Sequence, residues 1–179
     1  MSQNKENELS ILIPAYNYVC VELVSQLHQQ AVALGIDFEI IVADDGSTSR
    51  DCIDANITIS RYSNCRFIPR TENVGRAALR NFLAREAHYA YILYIDCDMT
   101  VVSPCFLQRY LGSLPASVVD GGVTIFAKFP EQERLLRYCY EKAEEPHHTA
   151  HERQKTPYQH LHTANLLIRR DIMLQHPFD

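Results

Sequence analysis

Two short acidic stretches carry the most visible chemistry in this 179-residue chain, Asp44-Asp45-Gly46-Ser47 and Asp96-Cys97-Asp98. Each follows at once on an apolar run, FEIIVA at 38–43 and YAYILYI at 89–95. A carboxylate placed directly after a buried strand sits at the sheet edge, where it can stay solvated. Residues i and i+2 of an extended segment point the same way, so Asp96 and Asp98 are expected to project into one cleft. Two like charges so close raise each other's pKa unless a cation or hydrogen-bond donors neutralise them. An all-oxygen, partly hydrated donor set favours a hard divalent ion, Mg²⁺ or Mn²⁺, that keeps positions open for phosphate oxygens. In this way an acidic cleft can receive an anionic ligand. Asp44 or Asp45 is suited to accept from a base N–H or a ribose hydroxyl, and Gly46 permits close backbone approach. Taken singly, DxD also serves as turn chemistry and DDGS as a turn plus helix cap. The two in register are much rarer.

The elements that must position these residues are legible as periodicity. Residues 9–13 form an apolar run that stops at Pro14, a strand ending in a loop. Residues 19–34 carry apolar positions at helical spacing and end before Gly35. The run 38–43 reads as a parallel strand covered on both faces. A helix from Arg50, a weak strand at 65–68 and a helix over 75–87 follow, and 89–95 is the most strand-like stretch of all. Strands alternating with helices predict right-handed βαβ units and a mostly parallel central sheet between helical layers, an α/β three-layer sandwich. In such sheets ligands collect beyond the carboxyl ends of the strands, where both acidic stretches lie. Strands are also predicted at 121–126 and 163–168, separated by a polar, His-rich helix or loop over 131–159.

Composition narrows the partners. With 46% hydrophobic residues the chain suits one domain, 1–179. The net charge of -5 offers no basic field for nucleic acid. The N-terminus shows no leader pattern and no apolar run is long enough to span a bilayer, so the expectation is a cytoplasmic protein, free or peripheral to the inner membrane face, without an integral membrane segment. The six cysteines have no metal-binding spacing and read as reduced structural thiols. Asn56-Ile57-Thr58 formally matches a glycosylation sequon, which has no meaning in that compartment.

The chain resembles the inverting family 2 glycosyltransferases of GT-A fold. The resemblance rests on SILIPAYN at 10–17, EIIVADDGS at 39–47, ENVGRAALRN at 72–81, the DxD at 96–98, and TANLLIRR at 163–170 followed by PFD at 177–179. It implies a single GT-A domain, with 9–110 as the nucleotide-sugar half and 111–179 as the start of the acceptor-side half. It further implies that Pro14, Ala15, Tyr16 and Asn17 line the nucleotide, that Asp44 or Asp45 binds base or ribose, and that Gly75, Asp96 and Cys97 border the donor. Asp98, with Asp96, would ligate Mn²⁺ or Mg²⁺ bridging the diphosphate. Arg76 and Arg80, four apart on one helix, share a face; one is expected to reach the nucleotide and the other to pair with acidic neighbours. The implied partners are a nucleotide-diphospho-sugar donor, UDP-sugar favoured, and a glycan or lipid-linked acceptor in polysaccharide or cell-surface glycan synthesis.

The implied chemistry is a single displacement at the anomeric carbon, with a base taking the acceptor proton while the metal stabilises the departing diphosphate. In the family that base is an acidic residue, often in a Glu-Asp pair, downstream of the segment like Pro177-Phe178-Asp179. No Glu-Asp dipeptide occurs in the chain, and Asp120, Glu144 and Glu145 match no family position. The expectation is that this chain binds donor and transfers little. The stretch from Pro146 to His151 reads as a polar, mobile active-site loop rather than a metal site, the lesser readings being that His147 and His151 chelate a metal if helical or that His160 or His162 supplies a late metal ligand. Two alternatives remain, a haloacid-dehalogenase-like phosphatase using Asp96 in its DxDxT and a catalytically incomplete nucleotide-sugar-binding module. Motif order disfavours the first. A dinucleotide oxidoreductase is excluded because no GxGxxG follows the first strand.

Overall fold

The computed structural model describes residues 7–125, 135–157, 159 and 161–179. Its elements alternate as the periodicity predicts: β1 (Glu8–Ala15), α1 (Val21–Leu34), β2 (Asp37–Asp44), α2 (Arg50–Ile57), β3 (Cys65–Pro69), α3 (Arg76–Glu86) and β4 (Tyr91–Ile95). Then come α4 (Phe106–Leu111), β5 (Val118–Asp120), α5 (Leu135–Glu144), α6 (Ala150–Lys155), β6 (Asn165–Arg169) and α7 (Arg170–Gln175). The sheet order is β3-β2-β1-β4-β6-β5. The first four strands run parallel, while β6 lies antiparallel between β4 and β5.

Strand alternation sorts the core into two layers. Leu9, Ile11 and Ile13 of β1 join Leu23, Val24 and Leu27 of α1 on one face. Leu12 of β1, Ile41 and Tyr94 join Leu79 and Leu83 of α3 and Met173 of α7 on the other. Both faces of β1, β2 and β4 are therefore covered, which is why their sequences read as continuous apolar runs. The three-layer α/β sandwich expected from sequence is the observed fold. Helix α1 forms because Leu23, Val24, Leu27 and Ala31 share its buried face, and it stops where Gly35 takes a left-handed φ of 64°.

The strand expected at 121–126 is instead Val118–Asp120, and residues 121–125 are irregular. Gly122 takes φ 71°, and a Cβ on Gly121 would lie 1.9 Å from the Tyr110 hydroxyl, so the glycine pair forms a turn pressed against α4. Residue 126 lies outside the described residues.

At the amino ends of the strands, Glu39 ties three segments together. Its carboxylate, 14% exposed, accepts from the Ser10 hydroxyl at 2.6 Å, the His88 N–H at 2.7 Å and His88 Nδ1 at 2.9 Å. Burial pushes its pKa up, but these donors outweigh burial and hold it below its ordinary value of 4.5. The folded carboxyl is thus more acidic than the unfolded one. Its stabilisation is complete above the unfolded pKa and is lost as pH falls through the folded value. Glu39→Gln is expected to lower stability by about 1–2 kcal/mol at pH 7, with the gap to wild type narrowing below pH 4 in urea titrations. A gap independent of pH would contradict this.

Candidate functional site

Strands β1 and β4 are adjacent and parallel, and the chain leaves β1 toward β2 and β3 on one side and β4 on the other. The carboxyl ends of β1 and β4 therefore flank the point where strand order reverses, the natural crevice of an open α/β sheet. The sequence motifs converge here. Pro14 and Ala15 are buried in β1, whereas Tyr16 and Asn17 emerge exposed. Asn17, at φ 49°, accepts from the backbone N–H groups of Thr48 and Ser49, both at 2.9 Å, and its own N–H donates to the Ser47 hydroxyl at 2.7 Å. The PAYN and DDGS segments are thus one structural unit.

Asp44 and Asp45 depart from the solvated edge expected for them, being 1% and 4% exposed. Donors from neighbouring turns satisfy both charges. Asp44 accepts from the Ser47 N–H at 2.8 Å and from the Ser47 hydroxyl. Asp45 takes the N–H groups of Val74 and Gly75, each at 3.0 Å, with Arg70 at 3.9 Å. Asp45 therefore anchors the ENVG loop and the start of α3 rather than presenting a free acceptor. Gly46 serves the same junction. It takes φ 70°, and a Cβ would come within 2.6 Å of the Glu72 carbonyl carbon. Gly46→Ala combines left-handed strain with a backbone clash and is expected to cost about 2–4 kcal/mol, read as a lowered urea midpoint. A loss under about 1 kcal/mol would show that the loop yields freely.

The DxD segment is also not extended. Its first residue accepts the Met99 N–H on its backbone carbonyl at 3.1 Å, closing a turn. The alternation expected of a strand does not apply, and the two carboxylates have different neighbours. Asp96 forms a short ion pair with Arg80, which is 7% exposed in α3. The Arg80 carbonyl in turn accepts the Tyr94 hydroxyl at 2.9 Å. Arg76, at the start of the same helix, is exposed and has no ion-pair partner among the described residues. Cys97 is half-buried against the apolar layer that holds the buried Cys20, whose thiol donates to the Tyr18 carbonyl at 3.8 Å. Asp98 is exposed. Burial and then the negative charge of Asp98 push the Tyr18 hydroxyl up, placing Asp98 in the field of the exposed Tyr16-Asn17-Tyr18 loop.

On its other side Asp98 borders a cleft of about 810 Å³, walled by Thr100, Gly121, Arg137, Arg153 and Asn165 among others. Sequence reasoning missed how this wall is braced. Asp120 and Arg153, both 12% exposed, pair at 3.4 Å, and Arg153 also donates to the Asp120 carbonyl at 3.0 Å. The Tyr110 hydroxyl donates to Asn165 Oδ1 at 2.6 Å. Asn165, just after Thr163-Ala164, was the available signal, since an Asn starting an apolar strand needs partners. Lys142 first, then the Thr124 hydroxyl and the Ile125 N–H, hold Glu145 far below the usual carboxylate range, so it clamps 124–125 and is a poor proton acceptor. Asn81 clamps the Phe178 backbone with two hydrogen bonds of 2.8 and 2.9 Å, fixing the PFD segment to α3.

Among the described residues, His147, His151 and His162 do not join Asp98 in a metal cluster. Thr149 is extended at ψ 156° and caps α6, so His147 and His151 do not lie on one helix. His162 Nδ1 faces Asp120 at 3.3 Å, and His160 lies outside the described residues. Among the described residues no three His, Cys, Asp or Glu side chains converge as a metal cage. One exposed carboxylate at an open cleft nevertheless fits an ion such as Mg²⁺ or Mn²⁺, which is held through one or two carboxylates together with phosphates and water. Among the described residues no helix is long and apolar enough to cross a membrane.

The profile of Glycosyl transferase family 2 matches residues 10–175. Chondroitin synthase of Escherichia coli is 32% identical over 144 residues, covering 72% of this chain and 20% of the synthase. The mannosyltransferase PcManGT of Pyrobaculum calidifontis, solved with GDP-Man and Mn²⁺, superposes with a TM-score of 0.64 at 17% identity, over 96% of this chain and 47% of that one. TarS 1–349 of S. aureus, solved with UDP-GlcNAc, gives 0.52 at 22% identity, over 69% and 38%. The chain therefore spans about a fifth of the synthase and less than half of either solved protein. The DxDxT phosphatase alternative has no support from these matches, and with the profile running from β1 through α7 the chain belongs to glycosyl transferase family 2.

Proposed function

We propose that this chain binds a nucleotide-diphospho-sugar at the β1/β4 crevice and contributes to transfer of the sugar, with inversion, to an acceptor hydroxyl in polysaccharide or cell-surface glycan synthesis. The observation that carries the proposal is the position of Asp98, exposed between the aromatic Tyr16-Asn17-Tyr18 loop and the cleft, while Asp96 beside it is already neutralised by Arg80. Residues 9–110 supply the nucleotide half. The base lies along Tyr16 and Asn17 above Pro14 and Ala15, with Asp44, Asp45 and Gly75 holding the loops that frame it. Arg76, exposed and cationic, faces the phosphates. Residues 111–179 supply the wall of the cleft that takes the sugar and the acceptor.

Asp98, with Asp96 behind it, would hold Mn²⁺ or Mg²⁺, which when bound stabilises charge developing on the diphosphate. The protein's own work is to keep Asp98 presented, to hold Asp96 and its turn through Arg80, and to shape a cleft that limits water around the anomeric carbon. A UDP-sugar is the favoured donor, in keeping with the UDP-GlcNAc complex of the similar TarS fold. Calorimetric titration with UDP-, GDP- and CDP-sugars, each with Mn²⁺, Mg²⁺ or chelator, tests the reading. Binding that requires metal and favours one base is the expected result; equal binding with chelator present would overturn it.

A further inference from the structure

The cleft bordered by Asp98 carries cations on its outer wall that donor binding does not use. Three arginines from three helices line it, Arg109 in the last turn of α4, Arg137 in α5 and Arg153 in α6. From the two that keep open guanidinium faces we propose that Arg109 and Arg137 bind the oxyanion of an acidic acceptor saccharide, one that carries carboxylate or phosphate groups. The proposal rests on the function proposed above, in which this cleft receives sugar and acceptor.

The charges on the wall are unequally committed. Arg153 is 12% exposed and tied to Asp120 through Nε and Nη2, so it braces the wall. Glu145 is taken by Lys142 at 2.8 Å and by the Ile125 N–H at 3.0 Å. Arg137 gives only its Nε to Glu141, at 2.7 Å, and its two terminal nitrogens have no hydrogen-bond partner among the described residues. The Arg109 guanidinium makes no ion pair or hydrogen bond with any described residue. Each of the two therefore keeps a parallel pair of N–H groups, the geometry that matches a carboxylate or phosphate.

Exposure decides which substrate meets them. The Arg137 side chain is 84% exposed and Arg109 is exposed too, so both stand at the rim of the cleft. A donor sugar must be enclosed if water is to be kept from its anomeric carbon, and its diphosphate is assigned to the metal at Asp98 and to Arg76. A saccharide that runs out past the rim can reach both arginines. Sugar hydroxyls gain only neutral-acceptor hydrogen bonds from a guanidinium, whereas an oxyanion gains charge-assisted ones of about twice the strength. The net charge of -5 repels such an acceptor overall, so its capture depends on local cations.

The test uses the full chain with UDP and Mn²⁺ saturating the donor site, titrated with cellotetraose, with the β-1,4-tetraglucuronate that differs from it only in its C6 carboxylates, and with cellotetraose phosphorylated at C6. At least one of the two anions is expected to bind tenfold or more tightly than the neutral tetramer, and the preferred one separates carboxylate from phosphate. Arg109→Gln and Arg137→Gln are each expected to weaken that binding about three- to tenfold. Together they should weaken it more than tenfold and flatten its dependence on added salt, while Arg→Lys at either position restores part of it. The urea midpoint and UDP affinity stay at wild-type values, because both side chains are exposed. Equal binding of neutral and anionic tetramers, or anion binding untouched in the double variant, would overturn the proposal. A loss of UDP affinity in the double variant would also overturn it, by placing the arginines on the donor. The same titrations without nucleotide keep the anion result readable should UDP fail to bind wild type, a failure that counts against the proposed function instead.

Discussion

Replacing Asp98 with asparagine is expected to abolish metal-dependent donor binding, by about 100-fold or more, while leaving stability within about 0.5 kcal/mol of wild type. The two halves of that expectation come from different observations. Asp98 is exposed, so the fold does not depend on its charge. Among the described residues no His, Cys or second free carboxylate cluster stands ready to replace it, since Asp96 is engaged by Arg80 and Asp120 by Arg153. Asparagine keeps the shape and a carbonyl oxygen but loses the anion that a hard divalent cation selects. A 100-fold loss corresponds to about 2.7 kcal/mol of binding, far beyond what a rim contact contributes. The measurement is donor titration at fixed Mn²⁺ beside a urea melt. Unchanged affinity would move the metal elsewhere, and a large drop in stability would make Asp98 structural.

Many of the motif residues serve as scaffold, and the reason is topological. Asn17, Asp45 and Gly46 each engage a segment about 30 residues away, so that three loops leaving β1, β2 and β3 become one rigid rim. A ligand that touches only Tyr16, Arg76 and Asp98 still depends on every one of these junctions. This also explains which parts of the sequence were readable. Strands covered on both faces announce themselves as FEIIVA and YAYILYI, and the helix stop at Gly35 follows from its left-handed backbone. Burial of Asp44 and Asp45 was not readable, because the donors that make it tolerable arrive from Ser47 and from a loop whose docking no local pattern encodes. The DxD was misjudged because a strand's alternation was extended three residues past Ile95, to Asp98, where the chain already turns. The insertion of β6 between β4 and β5 is a long-range pairing, and the glycine pair at 121–122 looked like strand because Val123 to Ile125 are β-formers.

The Arg80–Asp96 pair gives the second large effect, and its two partners are expected to respond unequally. Arg80 has 8% of its side chain exposed and Asp96 has 29%, so the cation is the member that water cannot rescue. Its Nε is already buried without an acceptor. Asp96→Asn therefore strands a buried guanidinium and is expected to cost about 3 kcal/mol, the lower end for breaking a buried pair because part of the pair is wet. Arg80→Met leaves a carboxylate that can hydrate and adds apolar volume beside Leu79 and Leu83, so a cost nearer 1–2 kcal/mol is expected. The double variant should lie close to Arg80→Met, which makes the coupling between the two sites favourable by about 3 kcal/mol in a double-mutant cycle. Donor binding separates positioning from contact. If Arg80 acts by holding Asp96 and the turn, Arg80→Met weakens binding less than Asp98→Asn and Arg80→Lys restores part of it. If Asp96→Asn proves the milder of the two, the pair is not what fixes the DxD turn, and the presentation of Asp98 must come from the backbone turn closed between Asp96 and Met99.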